Sequence, residues 1–300
     1  MKVCLGCEGV FASSGWRCPA CGFEPERHGR FWTHAPEFVN SGGGFKPEYF
    51  STLSRLESKN FWFRARNELL LALIAKYSPE AKSFLEVGCG TGFVLSGISK
   101  ARQDIELYGS EIFLEGLSYA SERLPDTQFM QMDARRIPFH EEFDAIGAFD
   151  VLEHIEEDNA VLVQLSHALR PGGVLYLTVP QHPWLWSASD DYAMHVRRYA
   201  RHELERKVLA AGFAIERTTS FVSLLLPLML AARLKKISPD AKFDPTQEFR
   251  LHKYLNASFL FIMRLERTLI SLGLNFPLGG SRVIVARKPE SSSSSSAHKT

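Results

Sequence analysis

The sequence predicts an α/β fold: a doubly wound, mostly parallel sheet of seven strands with helices on both faces, a small N-terminal module and a helical C-terminal insertion. Three observations carry that reading. Short apolar runs alternate with helical apolar spacing from about residue 48 to residue 220, the pattern of successive strand–helix units. The run Ser83–Val87 passes straight into Gly88-Cys89-Gly90-Thr91-Gly92, a turn whose glycines let the backbone approach a ligand at the start of a helix. Four of the five cysteines form two CxxC pairs within residues 1–24, a spacing that suits a metal.

The elements follow in order. Residues 1–24 hold Cys4, Cys7, Cys18 and Cys21 with glycines around them and read as a zinc ribbon. Two such knuckles place four thiolates tetrahedrally on Zn²⁺, with iron of the same geometry as the alternative. So short a segment has too little apolar surface to fold unaided, so the metal is expected to be structural, and the ribbon could also receive a protein partner. Residues 25–47, polar and ending in a Ser-Gly-Gly-Gly stretch, read as a linker. Helical spacing then runs to Tyr77, with Leu69, Leu70, Leu73 and Ile74 on one face. Strands are expected at 83–87, 106–110, 129–132, 145–149 and 174–179, and helices after Gly92, at 114–123, near 158–169 and near 201–211. Segments 214–220 and 282–286 complete the seven strands. The expected division is a core over 48–220, a helical insertion over 221–278, a last core strand within 279–289, and a serine-rich disordered tail over 290–300.

Composition limits the partners. A chain of 300 residues with 45% hydrophobic and 23% charged residues is ordinary for a globular protein. A net charge of +1 gives no general positive field for phosphates, which argues against nucleic acid. The opening MKVCLGCEGV lacks the charged-then-apolar pattern of a signal peptide. The longest apolar run, 221–232, contains Pro227 and falls short of the about 20 residues of a spanning helix. A cytoplasmic location is expected. Within 221–237 the run is followed by Arg233, Lys235 and Lys236, which suits peripheral contact with the inner membrane face. A helical lid packed on the sheet is the other reading.

The strand ends carry a ligand-binding pattern. Glu111 follows the second strand, where a carboxylate accepts from both hydroxyls of a ribose and disfavours a phosphate. Asp133 follows the third and can accept from an adenine amino group, and Asp150 closes the fourth. In open α/β sheets such ends converge on the ligand crevice. Phe93 stands where a dinucleotide turn wants its third glycine, which speaks against a dehydrogenase.

LEVGCGTG at 85–92, Glu111, MDARRIPF at 132–139, FDVLEHIEE at 149–157 and LRPGGVLYLTVP at 169–180 resemble, in this order, the motifs of class I S-adenosylmethionine (SAM)-dependent methyltransferases, a Rossmann-like family. The resemblance covers roughly residues 60–220, and FWFRARN at 61–67 is similar to the helix preceding the core in a subset of these enzymes. It implies SAM as cofactor, with Glu86, Gly88, Gly90 and Gly92 around the methionyl part and Asp150 near its amino group. Glu111 would hold the ribose, Ile112 would lie against the adenine, and Asp133 and Ala134 would reach the adenine edge.

Methyl transfer from a sulfonium is an in-line displacement that needs positioning, plus removal of a proton when the acceptor is a hydroxyl. Acceptor-side residues are expected after the fifth strand, in a loop dense in His, Trp, Asp and Arg. His182 and His195 are the candidate general bases; Trp184, Trp186, Arg197, Arg198 and Tyr199 are candidate acceptor contacts. The arginines could bind an anionic group or pair with Asp190 and Asp191. Asp150, Glu153 and His154 would share a face if helical, and the segment is similar to one in quinone-pathway O-methyltransferases where a divalent ion can assist; the same VLEH also occurs across much of the wider superfamily without any metal. The expected activity is O-methylation of a small or lipid-linked acceptor of glycan or quinone type. The alternatives are a SAM-binding regulatory or scaffold protein without turnover, and an rRNA or protein methyltransferase.

Overall fold

The computed structural model describes residues 1–39, 49–234 and 251–290. Strands β1 (Lys2–Val3) and β2 (Val10–Phe11) pair antiparallel in the cysteine module. Beyond them lies one nine-stranded sheet. Its inner strands β5 (Ser83–Val87), β6 (Glu106–Glu111), β7 (Gln128–Gln131), β8 (Phe143–Phe149) and β9 (Leu169–Pro180) are all parallel. On one flank β11 (Ser281–Arg287) lies antiparallel between β9 and β10 (Ala214–Phe221). On the other, β4 (Phe31–Thr33) runs parallel to β7, with β3 (Glu26–His28) antiparallel outside it. The order is β10-β11-β9-β8-β5-β6-β7-β4-β3.

The seven expected strands are therefore present, and two more extend them. Both come from the segment read as a linker, which is corrected here for residues 26–33. Phe31 and Thr33 point inward with Trp32 between them, but a three-residue strand is too short for its period of two to stand out in a sequence. Residues 40–47 of that segment lie outside the described residues, as do 291–300 of the expected tail.

Alternation along the buried strands sends neighbouring side chains to opposite faces. Phe84 joins a cluster with α2 (Phe61–Tyr77), α3 (Phe93–Ala101), α4 (Leu114–Arg123) and α9 (Lys253–Ser271). Leu85 joins the opposite cluster, with α5 (Asp158–Ala168) and α7 (Glu203–Ala210). Leu69, Leu70 and Leu73 are buried as expected, each worth about 2 kcal/mol by apolar burial. The helical stretch ahead of the core is two helices. After α1 (Tyr49–Leu56), Asn60 caps α2 by accepting from the Trp62 amide at 2.9 Å.

The apolar run after residue 220 is also reassigned in part. Phe221 ends β10, and Val222, Leu225 and Leu226 are buried in the protein core. The backbone amides of Ser223 and Leu224 donate to the buried Glu266 of α9 at 2.9–3.0 Å, which turns the chain into α8 (Leu226–Leu234). Phe221, Val222, Leu225 and Leu226 thus face the protein, Leu224 and Leu228 are exposed, and 235–237 lie outside the described residues. Among the described residues no helix is long and apolar enough to cross a membrane.

Because β5 to β9 are parallel, their C-terminal ends share one edge of the sheet. The chain goes outward from β5 to β6 and β7 on one side and to β8 and β9 on the other. That reversal opens the crevice where α/β sheets take ligands.

Candidate active site

The glycine turn after β5 lies in the crevice, with Gly88, Gly90 and Gly92 all at positive φ. At Gly88 the need for glycine is also steric, since a Cβ there would come within 2.4 Å of Val151. Thr91 donates its hydroxyl to both oxygens of buried Glu57, at 2.6 and 2.7 Å, and Glu57 also accepts from Arg123 at 3.0 Å. The turn is thereby tied to the segment after α1 and to the end of α4. Phe50 of α1 stands 3.7 Å from where a Cβ on Gly90 would be.

Four carboxylates surround the turn. Glu86 is buried, and its Oε2 has no hydrogen-bond partner among the described residues. Burial pushes its carboxyl up to about 8, partly opposed by Arg66. Glu111 accepts from the amides of Gly90 (3.0 Å), Ile112 (2.8 Å) and Phe113 (3.3 Å). Burial raises its carboxyl, and those amides act against the shift. Asp133 is held in a fork by Arg135, Nε and Nη2 lying 2.9–3.1 Å from its oxygens. It therefore meets a cation rather than standing as a free acceptor. Asp150, at a positive φ, pairs with Arg66 and accepts from Thr178 at 3.0 Å. Ile112 follows β6 beside Glu111, and Ala134 is buried beside Asp133. These positions fit a ligand with an adenosine end and a cationic end: an orphaned buried carboxylate oxygen, a close-approach turn and an anchored acid at the end of β6.

The loop after β9 brings some of the acceptor-side candidates together and withdraws others. His195 places Nδ1 2.9 Å from Asp190, whose carboxylate also accepts from Arg198 (2.7 Å) and from the amide and hydroxyl of Ser187 (2.8 and 3.0 Å). Burial works against ionisation of Asp190, yet the bonds from His195 and Arg198 hold it at about 2. An ionised Asp190 fixes the proton on Nδ1 and leaves Nε2 as the basic face. That face looks toward fully buried Glu153, 4.0 Å away, neither of whose oxygens has a hydrogen-bond partner among the described residues. Burial, then Asp150, raises the Glu153 carboxyl well above its ordinary value.

His182 is buried under Trp184, stacked at 4.9 Å, and its Nε2 has no hydrogen-bond partner among the described residues. Burial and then the positive charges of Arg282, Arg198 and Arg201 lower its pKa. Trp184 and Trp186 are 58% and 40% exposed, the latter donating to Asp191 at 2.9 Å. Tyr199 is 1% exposed, with its hydroxyl on Asp158 at 2.7 Å, so it cannot touch an acceptor and that expectation is corrected. Arg197 pairs with Asp158 and Arg198 with Asp190, both at 2.7 Å, so their charges are spent within the protein.

Two groups of side chains among the described residues could hold a metal ion. The four Sγ atoms of Cys4, Cys7, Cys18 and Cys21 lie within 4.8 Å of one another. The second group is Glu153, His154 and His195, again within 4.8 Å. Asp150, on the same segment, is engaged by Arg66, and the loop after β9 brings His195 to the group instead. The pairing of Arg198 with Asp190 is one of the two readings the sequence offered; Arg66 and Glu57 were missed as site residues, and only Arg66 lay in a motif, the FWFRARN segment.

Comparison with known proteins agrees with this geometry. Residues 57–218 match a family model described as a methyltransferase domain. A Streptomyces venezuelae dTDP-3-amino-3,4,6-trideoxy-alpha-D-glucopyranose N,N-dimethyltransferase is 33% identical over 37% of this chain and 46% of its own length. A fatty-acid O-methyltransferase of Mycolicibacterium smegmatis is 27% identical over 73% of this chain and 82% of its own. Against several curated relatives the chain spans less than two thirds of their length, 46% and 65% in two cases. Among solved structures, the [4+2]-cyclase SpnF superposes with a TM-score of 0.51 at 21% identity, covering 77% of this chain and 83% of that one, a likeness of fold.

Proposed function

The chain belongs to the methyltransferase-domain family, whose matched relatives include SAM-dependent methyltransferases, and from that premise we propose that it O-methylates a small or lipid-linked acceptor of glycan or quinone type. The observation that carries the proposal is the convergence of the glycine turn, Glu86, Glu111, Asp133 and Asp150 on one edge of the sheet, with an Asp190–His195 pair in the loop after β9. In this reading Glu111 holds the ribose, Ile112, Asp133 and Ala134 border the adenine, and Glu86 and the glycines face the methionyl part. SAM supplies a methyl group on a sulfonium. His195 takes the acceptor proton at Nε2, with Asp190 stabilising the imidazolium, and Trp184 and Trp186 offer the exposed apolar surface against which an acceptor packs.

The pair at His195 supports a hydroxyl acceptor, whose proton must leave as the oxygen takes the methyl group; a protonated amine would need the same base. The relatives are named for amino-sugar N-methylation and fatty-acid O-methylation, so kinship does not name the acceptor and the reading rests on the loop. A second reading follows from Glu153, His154 and His195 lying within ligand distance of one another: a divalent ion there would bind the acceptor oxygen.

Calorimetric titration of SAM, followed by turnover on a panel of hydroxylated lipid-linked glycans and quinone precursors, tests the proposal. Glu111→Ala is expected to weaken SAM binding about tenfold to a hundredfold, the loss of hydrogen bonds to a charged acceptor. His195→Asn is expected to preserve binding and lower turnover by about 10²–10⁴. Tight binding by Glu111→Ala would overturn the role given to Glu111, and no binding of SAM to the parent chain would sink the cofactor assignment. Turnover lost on chelation and restored by magnesium selects the metal reading over the base.

A further inference from the structure

The cysteine module is joined to the segment that borders the proposed adenine site. We infer that a metal held by Cys4, Cys7, Cys18 and Cys21 positions the adenine wall, so that cofactor affinity depends on the ribbon's metal; this rests on the SAM reading above. The thiols fit the metal. Cys4 and Cys21 sulfurs lie 3.5 Å apart and those of Cys7 and Cys18 3.8 Å apart, close to the about 3.8 Å edge of a tetrahedron with Zn–S bonds of about 2.3 Å. The module's own core is only Cys4, Phe11 and Cys18, too small to hold its shape without the metal.

The contacts outward come from the knuckles themselves. Leu5, between Cys4 and Cys7, accepts through its carbonyl from Arg136 at 3.0 Å, and the Val3 amide donates to the Pro138 carbonyl at 3.0 Å. Trp16, two residues before Cys18, packs with Met132, Ala134, Ile137 and Phe139 in one buried cluster. Segment 133–139 therefore has the ribbon on one side while Asp133 and Ala134 face the proposed adenine position. A second tie lies at the end of β7. The side chain of Gln131 donates to the carbonyls of Ala35 (2.8 Å) and Ile112 (3.2 Å) and accepts from the Ala35 amide (3.0 Å). Ile112 is thus two hydrogen bonds, through Gln131, from Ala35, and Ala134 shares a buried cluster with Trp16. When the thiolates lose their metal, the Leu5 carbonyl and Trp16 lose their fixed positions, and the wall loosens.

The test uses the full chain, zinc-loaded and then stripped, with metal content measured in each state. Hydrogen–deuterium exchange across 131–139 and calorimetric affinity for S-adenosylhomocysteine are the two readouts. Metal removal is expected to raise exchange in 131–139 and weaken affinity about tenfold, in the usual range for coupled sites. Arg136→Ala, which keeps all four cysteines, is expected to reproduce part of both effects with zinc content unchanged. Binding that is indifferent to metal, with exchange in 131–139 unchanged, overturns the coupling alone. No binding of S-adenosylhomocysteine to the zinc-loaded chain overturns the cofactor reading beneath it.

Discussion

Glu86 lies one residue from the end of β5 with an oxygen that has no hydrogen-bond partner among the described residues and a carboxyl held at about 8, chiefly by burial, with Glu57 and Glu111 adding to the shift and Arg66 opposing it. The folded chain therefore binds this proton more tightly than the unfolded chain. The resulting stability is fully present below about 4.5 and is lost as pH rises through about 8. Thermal melts of the ligand-free protein are expected to show that decline, and Glu86→Gln is expected to flatten it. A cationic methionyl group beside Glu86 would favour the ionised form, so titration near pH 7 in buffers of different ionisation enthalpy is expected to report proton release. Proton uptake, or none, would place Glu86 away from the cation. At this scale, legibility followed distance along the chain. Glu111 was readable because it follows a strand and its anchors, Ile112 and Phe113, are its neighbours. The Arg66–Asp150 pair spans 84 positions and the Glu57–Thr91 contact 34, and no local pattern announces a partner that only the fold brings near.

Among the elements, the glycine turn depends on structure outside its own strand and helix. Thr91 is fixed through Glu57 to Arg123, so the segment after α1, the glycine turn and the end of α4 meet at one ion pair. Arg123→Leu leaves the Glu57 carboxylate buried without its cation and is expected to destabilise the fold by about 3 kcal/mol. A urea titration reads that loss, and an unchanged midpoint would show that the pair contributes nothing. Strands and helices of the core were readable because they are long enough to repeat their period several times, as in α2 with Leu69, Leu70, Leu73 and Ile74. β3 and β4, three residues each, were not. Nor was the turn at Ser223 and Leu224, which depends on Glu266 more than 40 residues later in the chain.

At the scale of the molecule, the sheet gains two strands beyond the seven that the sequence pattern supports, and they lie on the flank that carries the ribbon. They cover β7, which would otherwise end the sheet with Phe129 and Met130 beside an open ladder. The new outer strand is Glu26-Arg27-His28, exposed throughout. A row of unpaired backbone amides and carbonyls is a template for another chain, and charged side chains at that position discourage the pairing. The hairpin is therefore expected to guard against self-association as well as to extend the fold. With Glu26→Val and Arg27→Thr, light scattering is expected to show apparent mass rising with concentration, whereas the parent chain stays constant. Deleting the first 35 residues would remove the guard altogether, and loss of solubility would then be the consequence of a bare strand before it said anything about catalysis.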